Sequence, residues 1–381
     1  MMYQQIKHLQ ENGIPLKQIV YVNFEDERLL ELSADDLNLI LEIGLEMSGA
    51  DNKPYLFLDE IQNVEGWEKF VRRIADMKYR IHITGSNSKM LSSEIASTLG
   101  GRFMIVDIYP YSFPEYLAAQ GKDKNYLEVL STKDRAEVVG MCDQYVKYGA
   151  FPELVDIRNK REYLNSIYQT IYLGDIITRK ITNDFAVRLI LKKIAESVTK
   201  PLSFNRLSNI LKSAGAVLGK QTVINYVGYM MDSYLLFTLQ NYAAKLVEKE
   251  TSPKYYFMDT GLLGLMLMDC SSAQLENLVA IELIRRYGRE NVFYFEKNVE
   301  IDFYVPEEKL AIQVSLQVLD QIDTREREIG AFVKLKNFIG DATCLLITNS
   351  EEEELDYEGV HVSVVPVWKW LLPVSYTHLR A

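Results

Sequence analysis

Tyr55-Leu56-Phe57-Leu58-Asp59-Glu60 is the stretch that decides the reading of this chain. A short apolar run ending in two carboxylates predicts a buried parallel strand, because a parallel strand is covered on both faces and needs no polar alternation. Its C-terminal edge would then carry Asp59 and Glu60. Nucleotide hydrolysis on such a sheet asks for this pair: one carboxylate holds Mg²⁺ through water and the next polarises the attacking water. Further on, Ile81-His82-Ile83-Thr84-Gly85-Ser86-Asn87 reads as a second short strand ending in small polar residues. Ser86 or Asn87 at that end can sense a γ-phosphate.

Composition bounds the alternatives. The 381 residues are 48% hydrophobic and 25% charged, which is ordinary for a globular chain and long enough for about two or three domains. No apolar run approaches the ~20 residues of a membrane span, and the first residues are polar, so no membrane partner is expected. Cys142, Cys270 and Cys344 are far apart and odd in number. They fit neither a disulfide framework nor a metal site and predict small buried hydrophobes in a reducing cytoplasm. Net charge is −11, which argues against general affinity for nucleic acid. Yet Asp156 to Lys220 holds twelve Lys/Arg against five Asp/Glu. Such asymmetry marks either a nucleic-acid face or solvated helix faces.

Along the chain, residues 1–118 alternate strands and helices. Tyr3-Gln4-Gln5-Ile6-Lys7-His8-Leu9 reads as a helix, Ile19-Val20-Tyr21-Val22-Asn23-Phe24 as a strand, and Trp67 to Ile74 as a helix whose aromatics belong to a core. Met104-Ile105-Val106 reads as another strand after Gly100-Gly101-Arg102-Phe103. Residues 119–193 are mainly helical, interrupted at Gly149-Ala150-Phe151-Pro152-Glu153. Residues 194–258 hold two short helices across a turn, then strand-like Leu235–Leu239 and Lys254–Met258. That is a winged-helix pattern, whose second helix can enter a major groove. Lys220, Gln221, Thr222 and Asn225 would then face DNA, with Arg206 nearby on the first helix. Winged helices also serve protein–protein contacts, so both partners stay open.

The ordered set IVYVNFED, YLFLDEIQNVEGWEKFVRRI, IHITGSNSKMLSSEIASTLGGRF and IYPYSFPEYL resembles the ATPase half of a prokaryotic AAA-type family. Its members carry a C-terminal domain of unknown function with a nuclease-like fold. The resemblance implies ATP and Mg²⁺ as cofactors, Asp59 in the metal shell, Glu60 as the catalytic carboxylate, and Ser86 or Asn87 at the γ-phosphate. Arg102 would reach a neighbouring subunit's nucleotide in a homo-oligomer, or close its own helix–strand turn by a salt bridge. Family members begin with a strand and a loop ending Gly-Lys-Ser/Thr, whose N–H groups and lysine cradle the phosphates. This chain opens on the helix after that loop, so an N-terminally shortened ATPase core is expected. Gly215-Ala-Val-Leu-Gly219-Lys220-Gln221-Thr222 has three residues between its glycines where four are needed, and reads as a turn before a helix. A chain without the loop would be a non-enzymatic DNA- or protein-binding module.

Residues 259–374 resemble the restriction-endonuclease-like fold, in which an Asp on one strand and Glu-x-Lys on the next hold Mg²⁺. Asp302 matches the first position; Gln313 and Ser315 stand at the Glu and Lys positions. Gln313 keeps a carbonyl oxygen but lacks the charge that makes a hard cation bind well; Glu276 and Asp302 could still hold a weak ion. The set is incomplete, and a lysine substitute would have to come from elsewhere, such as Arg325 or Lys334. A degenerate fold kept for docking is expected, not an active nuclease. Residues 375–381 lack periodicity and read as a non-native tail. The fold class is therefore α/β: a parallel-sheet AAA-type core without its first strand and phosphate loop, a helical and winged-helix middle, and a nuclease-like end.

Overall fold

The computed structural model describes residues 1–29, 31–49, 52–85, 98–101, 103–122, 131–179, 181–269, 271–319 and 322–372. The chain divides into two compact units, Met1–Asp107 and Ile108–Ala381. Each carries its own sheet.

The first unit runs α1 (Met2–Glu11), β1 (Ile19–Asn23), α2 (Leu37–Ser48), β2 (Tyr55–Asp59), α3 (Trp67–Asp76) and β3 (Arg80–Ile83). The three strands are all parallel in the order β1-β2-β3, with Asn23 opposite Asp59 and Leu58 opposite Ile83. The apolar run of β2 thus occupies the middle. Leu56 and Leu58 point to one face, where Leu37 and Leu41 of α2 and Trp67, Phe70 and Ile74 of α3 complete a core. Phe57 points to the other face, where Met2 and Ile19 cover it with Ile6 and Leu9 packed alongside. Helices on both faces explain why β2 needs no polar alternation.

One expected element does not form. Met104-Ile105-Val106 takes no regular secondary structure among the described residues, and Met104 is 92% exposed and Val106 70%. An apolar triplet becomes a strand only when a neighbouring strand accepts its backbone, and none pairs with it.

The second unit opens with helices α4 (Phe113–Ala119), α5 (Thr132–Tyr148) and α6 (Lys160–Gln169). Ser112 and Ser131 start the first two through capping boxes with Glu115 and Asp134. A π-helical segment, Thr170–Ile177, prolongs α6. Then come α7 (Asp184–Ala195), α8 (Phe204–Ser213), α9 (Lys220–Asp232), β4 (Leu236–Asn241), α10 (Leu246–Thr251), β5 (Lys254–Phe257), α11 (Thr260–Met266) and α12 (Ser271–Tyr287). The chain finishes with β6 (Phe293–Glu296), β7 (Glu300–Val305), β8 (Leu310–Val314), α13 (Ile322–Ile339), β9 (Thr343–Thr348), β10 (Glu353–Tyr357), β11 (Val360–Pro366) and α14 (Val367–Trp370).

Among the described residues the strands of this unit form one mixed sheet of eight, ordered β10-β11-β9-β8-β7-β6-β4-β5. The β4–β5 pair is antiparallel, and β4 also pairs in parallel with β6. The hairpin after α9 is therefore the end of the large sheet. Strand alternation sorts the two faces: Leu345 and Ile347 join the helical core that includes Leu275, Val279 and Leu283 of α12, while Cys344 and Leu346 pack with Ile329, Phe332 and Leu335 of α13. Cys142 and Cys344 are both buried free thiols, and burial pushes each thiol well above the usual cysteine range. Cys270 lies outside the described residues. No helix among the described residues is long and apolar enough to cross a membrane.

Candidate functional site

The C-terminal edge of the small sheet gathers hydroxyls around Asp59. Tyr21, on β1, donates its phenol to Asp59 Oδ2 at 2.6 Å, and the Thr84 hydroxyl, just beyond β3, donates to Oδ1. The middle carboxylate is thus held from both neighbouring strands. Burial, and then the bond to Asp59, push the Tyr21 phenol above the usual tyrosine range. Tyr3 of α1 donates in turn to the Tyr21 oxygen at 3.1 Å. Glu60 leaves the strand with φ of 54°. A non-glycine residue in that left-handed region costs about 1 kcal/mol or more and is held only by its surroundings. Here the Glu60 amide donates to Thr84 Oγ1 at 3.1 Å, and the Glu60 carboxylate accepts from Gln62. Asp59 and Glu60 are half-buried, so both carboxylates face the rim of the sheet and not its core.

In the second unit, α9 presents Lys220, Gln221 and Asn225 exposed, with Thr222 half-buried beside them. Val223, Tyr226, Val227 and Met230 anchor its opposite face. Gln221 donates to Asn225 Oδ1 at 3.1 Å. Arg206 is exposed on α8, whose first turn is capped by Ser203. Each of the predicted nucleic-acid residues is thus accessible to solvent, Thr222 only in part.

A buried charge cluster occupies the large sheet. Glu276 of α12 accepts from the Tyr256 phenol at 2.9 Å, and Asp302 Oδ2 accepts the Val314 amide at 2.9 Å. Into this cluster reaches Lys254, fully buried on β5, with its ammonium 3.2 Å from Glu300, 3.7 Å from Glu276 and 3.7 Å from Asp302. Burial pushes the Glu276 carboxyl up to about 8, against the pull of Lys254. Burial likewise raises Asp302, opposed by Lys254. Gln313 bridges to β7: its Oε1 accepts the Asp302 amide at 2.8 Å and its Nε2 donates to the Glu300 carbonyl at 3.2 Å. The Ser315 hydroxyl donates to the Gln317 carbonyl at 3.1 Å.

Comparison with known proteins follows this division. The uncharacterized protein MJ1544 of Methanocaldococcus jannaschii is 35% identical over 367 residues, covering 93% of this chain and 82% of its own. An uncharacterized protein of Haemophilus influenzae is 30% identical over 374 residues, covering 95% and 88%. Residues 1–117 match the model of an AAA domain, and residues 140–273 a domain of unknown function (DUF8612). The chain belongs to this family of AAA-type proteins with a C-terminal domain of unknown function. A solved structure, the Walker-type ATPase PABY2304 of Pyrococcus abyssi, overlaps 69% of this AAA-type chain and 75% of its own at 12% identity and TM-score 0.38.

The AAA-type unit puts Asp59 and Glu60 together at one sheet edge. Ser86, Asn87 and Arg102 lie outside the described residues. Sequence reasoning missed Tyr21 and Thr84, although Thr84 stands inside the quoted strand and Tyr21 two residues before the partner of Asp59. In the C-terminal unit Glu276 and Asp302 do converge, through Lys254. The cation that ion-pairs with Asp302 is Lys254 of β5, where the sequence suggests Arg325 or Lys334 as examples of a substitute. Gln313, at the position of the lost glutamate, hydrogen-bonds the β7 backbone with both ends of its amide.

Proposed function

We propose that this AAA-type protein is a nucleotide-controlled switch, in which ATP hydrolysis at the small sheet governs binding by the second unit. The observation that carries the reading is Asp59 held by Tyr21 and Thr84 at the end of the central parallel strand, with Glu60 turned out beside it. A carboxylate offers about four lone-pair positions; two are taken by hydroxyls, and the remainder can accept the water shell of Mg²⁺. Asp59 would hold that shell, and Glu60 would orient and deprotonate the attacking water. Bound Mg²⁺ supplies charge neutralisation on the phosphate oxygens. Ser86 or Asn87 would sense the γ-phosphate, and Arg102 would act on transition-state charge.

The phosphate half of the site is not supplied by these residues. The 381 positions contain no Gly-x-x-x-x-Gly-Lys-Ser/Thr string, whose N–H groups and lysine would cradle the phosphates. ATP turnover tests the reading in two proteins: residues 1–381, and the same chain given an N-terminal strand and such a loop. The first should be silent. The second should turn over ATP and lose most of its rate in Glu60→Gln. An extended protein that is silent, or a rate indifferent to Glu60, would remove the ATPase reading.

What supports an output on DNA is the exposed row of Lys220, Gln221 and Asn225 with Arg206 close in sequence on the preceding helix. A protein partner at the same helix is the second reading. It is supported by Val217, which is 78% exposed in the turn that precedes α9.

A further inference from the structure

The charge cluster of the large sheet has a chemistry independent of the nucleotide reading. Lys254 is 0% exposed, and its ammonium makes no well-directed hydrogen bond. It lies instead at ion-pair distances from three carboxylates, 3.2 to 3.7 Å, with the Tyr294 ring 5.3 Å away. A small cation sits among oxygens in this way. Burial works against the charge on Lys254, but the carboxylates outweigh it and hold the ammonium above the usual lysine range. Two of the carboxylates are anchored from behind, by Tyr256 and by the Val314 amide. The cage is therefore fixed in place around the lysine.

A divalent metal ion does not fit beside it. Mg²⁺ takes six oxygen ligands in near-octahedral geometry at about 2.0–2.1 Å, and the oxygens of this cage already face an ammonium. The neighbouring amide that could complete the ligand set, Gln313, is bonded at both ends to β7. With the ammonium in place, no group of three or more His, Cys, Asp or Glu among the described residues is arranged to hold a metal ion; the three carboxylates can close on one only when the lysine is gone. We propose that the Lys254 ammonium is the resident cation of this domain, filling the cage of Glu276, Glu300 and Asp302 in place of a divalent metal ion.

The cage then works without metal, and it should become a metal site when the lysine is removed. Mn²⁺ alone is the probe, followed by the loss of its free electron paramagnetic resonance signal on titration into the full chain. Wild type and Asp302→Asn should bind Mn²⁺ equally, because the cage is already filled. Lys254→Ala should gain one site, at least tenfold tighter than any lost from wild type, and Lys254→Ala with Asp302→Asn should lose it again. Wild type losing a Mn²⁺ site on Asp302→Asn would overturn the proposal, as would a folded Lys254→Ala that gains none. Should Lys254→Ala fail to fold, the comparison of wild type with Asp302→Asn and with the half-exposed Glu300→Gln still decides: equality supports the filled cage, and a lost site refutes it.

Discussion

Asp259 accepts the amide of Ala150 at 2.8 Å, tying the start of α11 to the turn that ends α5, 109 residues earlier in the chain. The same carboxylate accepts the amides of Gly261 and Leu262. Gly149 allows the approach: its φ is +81°, and a Cβ there would stand 2.0 Å from Asp259 Oδ1. Burial pushes the Asp259 carboxyl up to about 6, the three amides pulling the other way. A folded pKa above the unfolded 3.8 means that the folded state binds the proton more tightly. The contribution is greatest below pH 3.8 and is lost as pH rises through about 6. The swing is on the order of 3 kcal/mol. Thermal melts of the second unit between pH 4 and 7 should show it, and Asp259→Asn should flatten that slope. Gly149→Ala should destabilise by several kcal/mol, since it adds a clash with buried polar atoms to a strained φ. A wild-type slope unchanged in Asp259→Asn would refute the assignment.

Thr84 is predicted to be a positioning residue for Asp59. Its hydroxyl donates to the carboxylate and accepts the Glu60 amide, so one side chain sets both acids. A hydrogen bond to a charged group is worth about 1.5–3 kcal/mol, and 1.4 kcal/mol is tenfold in rate. In the chain extended with a phosphate loop, Thr84→Val should lower kcat about tenfold or more while Thr84→Ser restores it. A kcat unchanged by Thr84→Val would assign the hydroxyl to strand packing alone.

What the sequence revealed and what it hid have one physical cause. Apolar periodicity reports which face of an element is covered, so β2 and α3 are legible in Tyr55–Glu60 and Trp67–Ile74. It is silent on which long side chain crosses between elements. Lys254 lies 48 residues before Asp302 in the chain and on a different strand of the sheet, and nothing in Lys-Tyr-Tyr-Phe says its ammonium will be buried. Tyr21 is hidden for the same reason, its bond to Asp59 spanning 38 residues. Met104–Val106 shows the reverse failure: strand-forming residues that find no strand to pair with.

DNA binding, if α9 is the reading helix, should be electrostatic and salt-sensitive. Phosphate contacts release counterions, and each contributes about 0.9 to the slope of log affinity against log salt. Duplex DNA titrated at two salt concentrations should bind tightly only at the lower one. Lys220→Ala and Arg206→Ala should each weaken binding and reduce the slope by about one. Absence of binding at low salt would assign the α9 surface to a protein partner.

The large-sheet domain should not cut DNA. Two-carboxylate sites gather Mg²⁺ because adjacent negative charges attract it and fix the line of attack on phosphorus. Here the Glu position is Gln313, whose amide is spent on the β7 backbone, and the Lys position is Ser315, whose hydroxyl is bonded to the Gln317 carbonyl. Lys254 supplies a positive charge, but it is fully buried and lies at ion-pair distance from three carboxylates, so its charge is engaged within the cluster. A phosphodiester would have to compete with those pairs for the one ammonium. Supercoiled plasmid incubated with the protein and Mg²⁺ or Mn²⁺ should stay supercoiled, in wild type and Asp302→Ala alike. Nicking by wild type that disappears in Asp302→Ala would show that the degenerate motif is still catalytic and that the cage opens to metal after all.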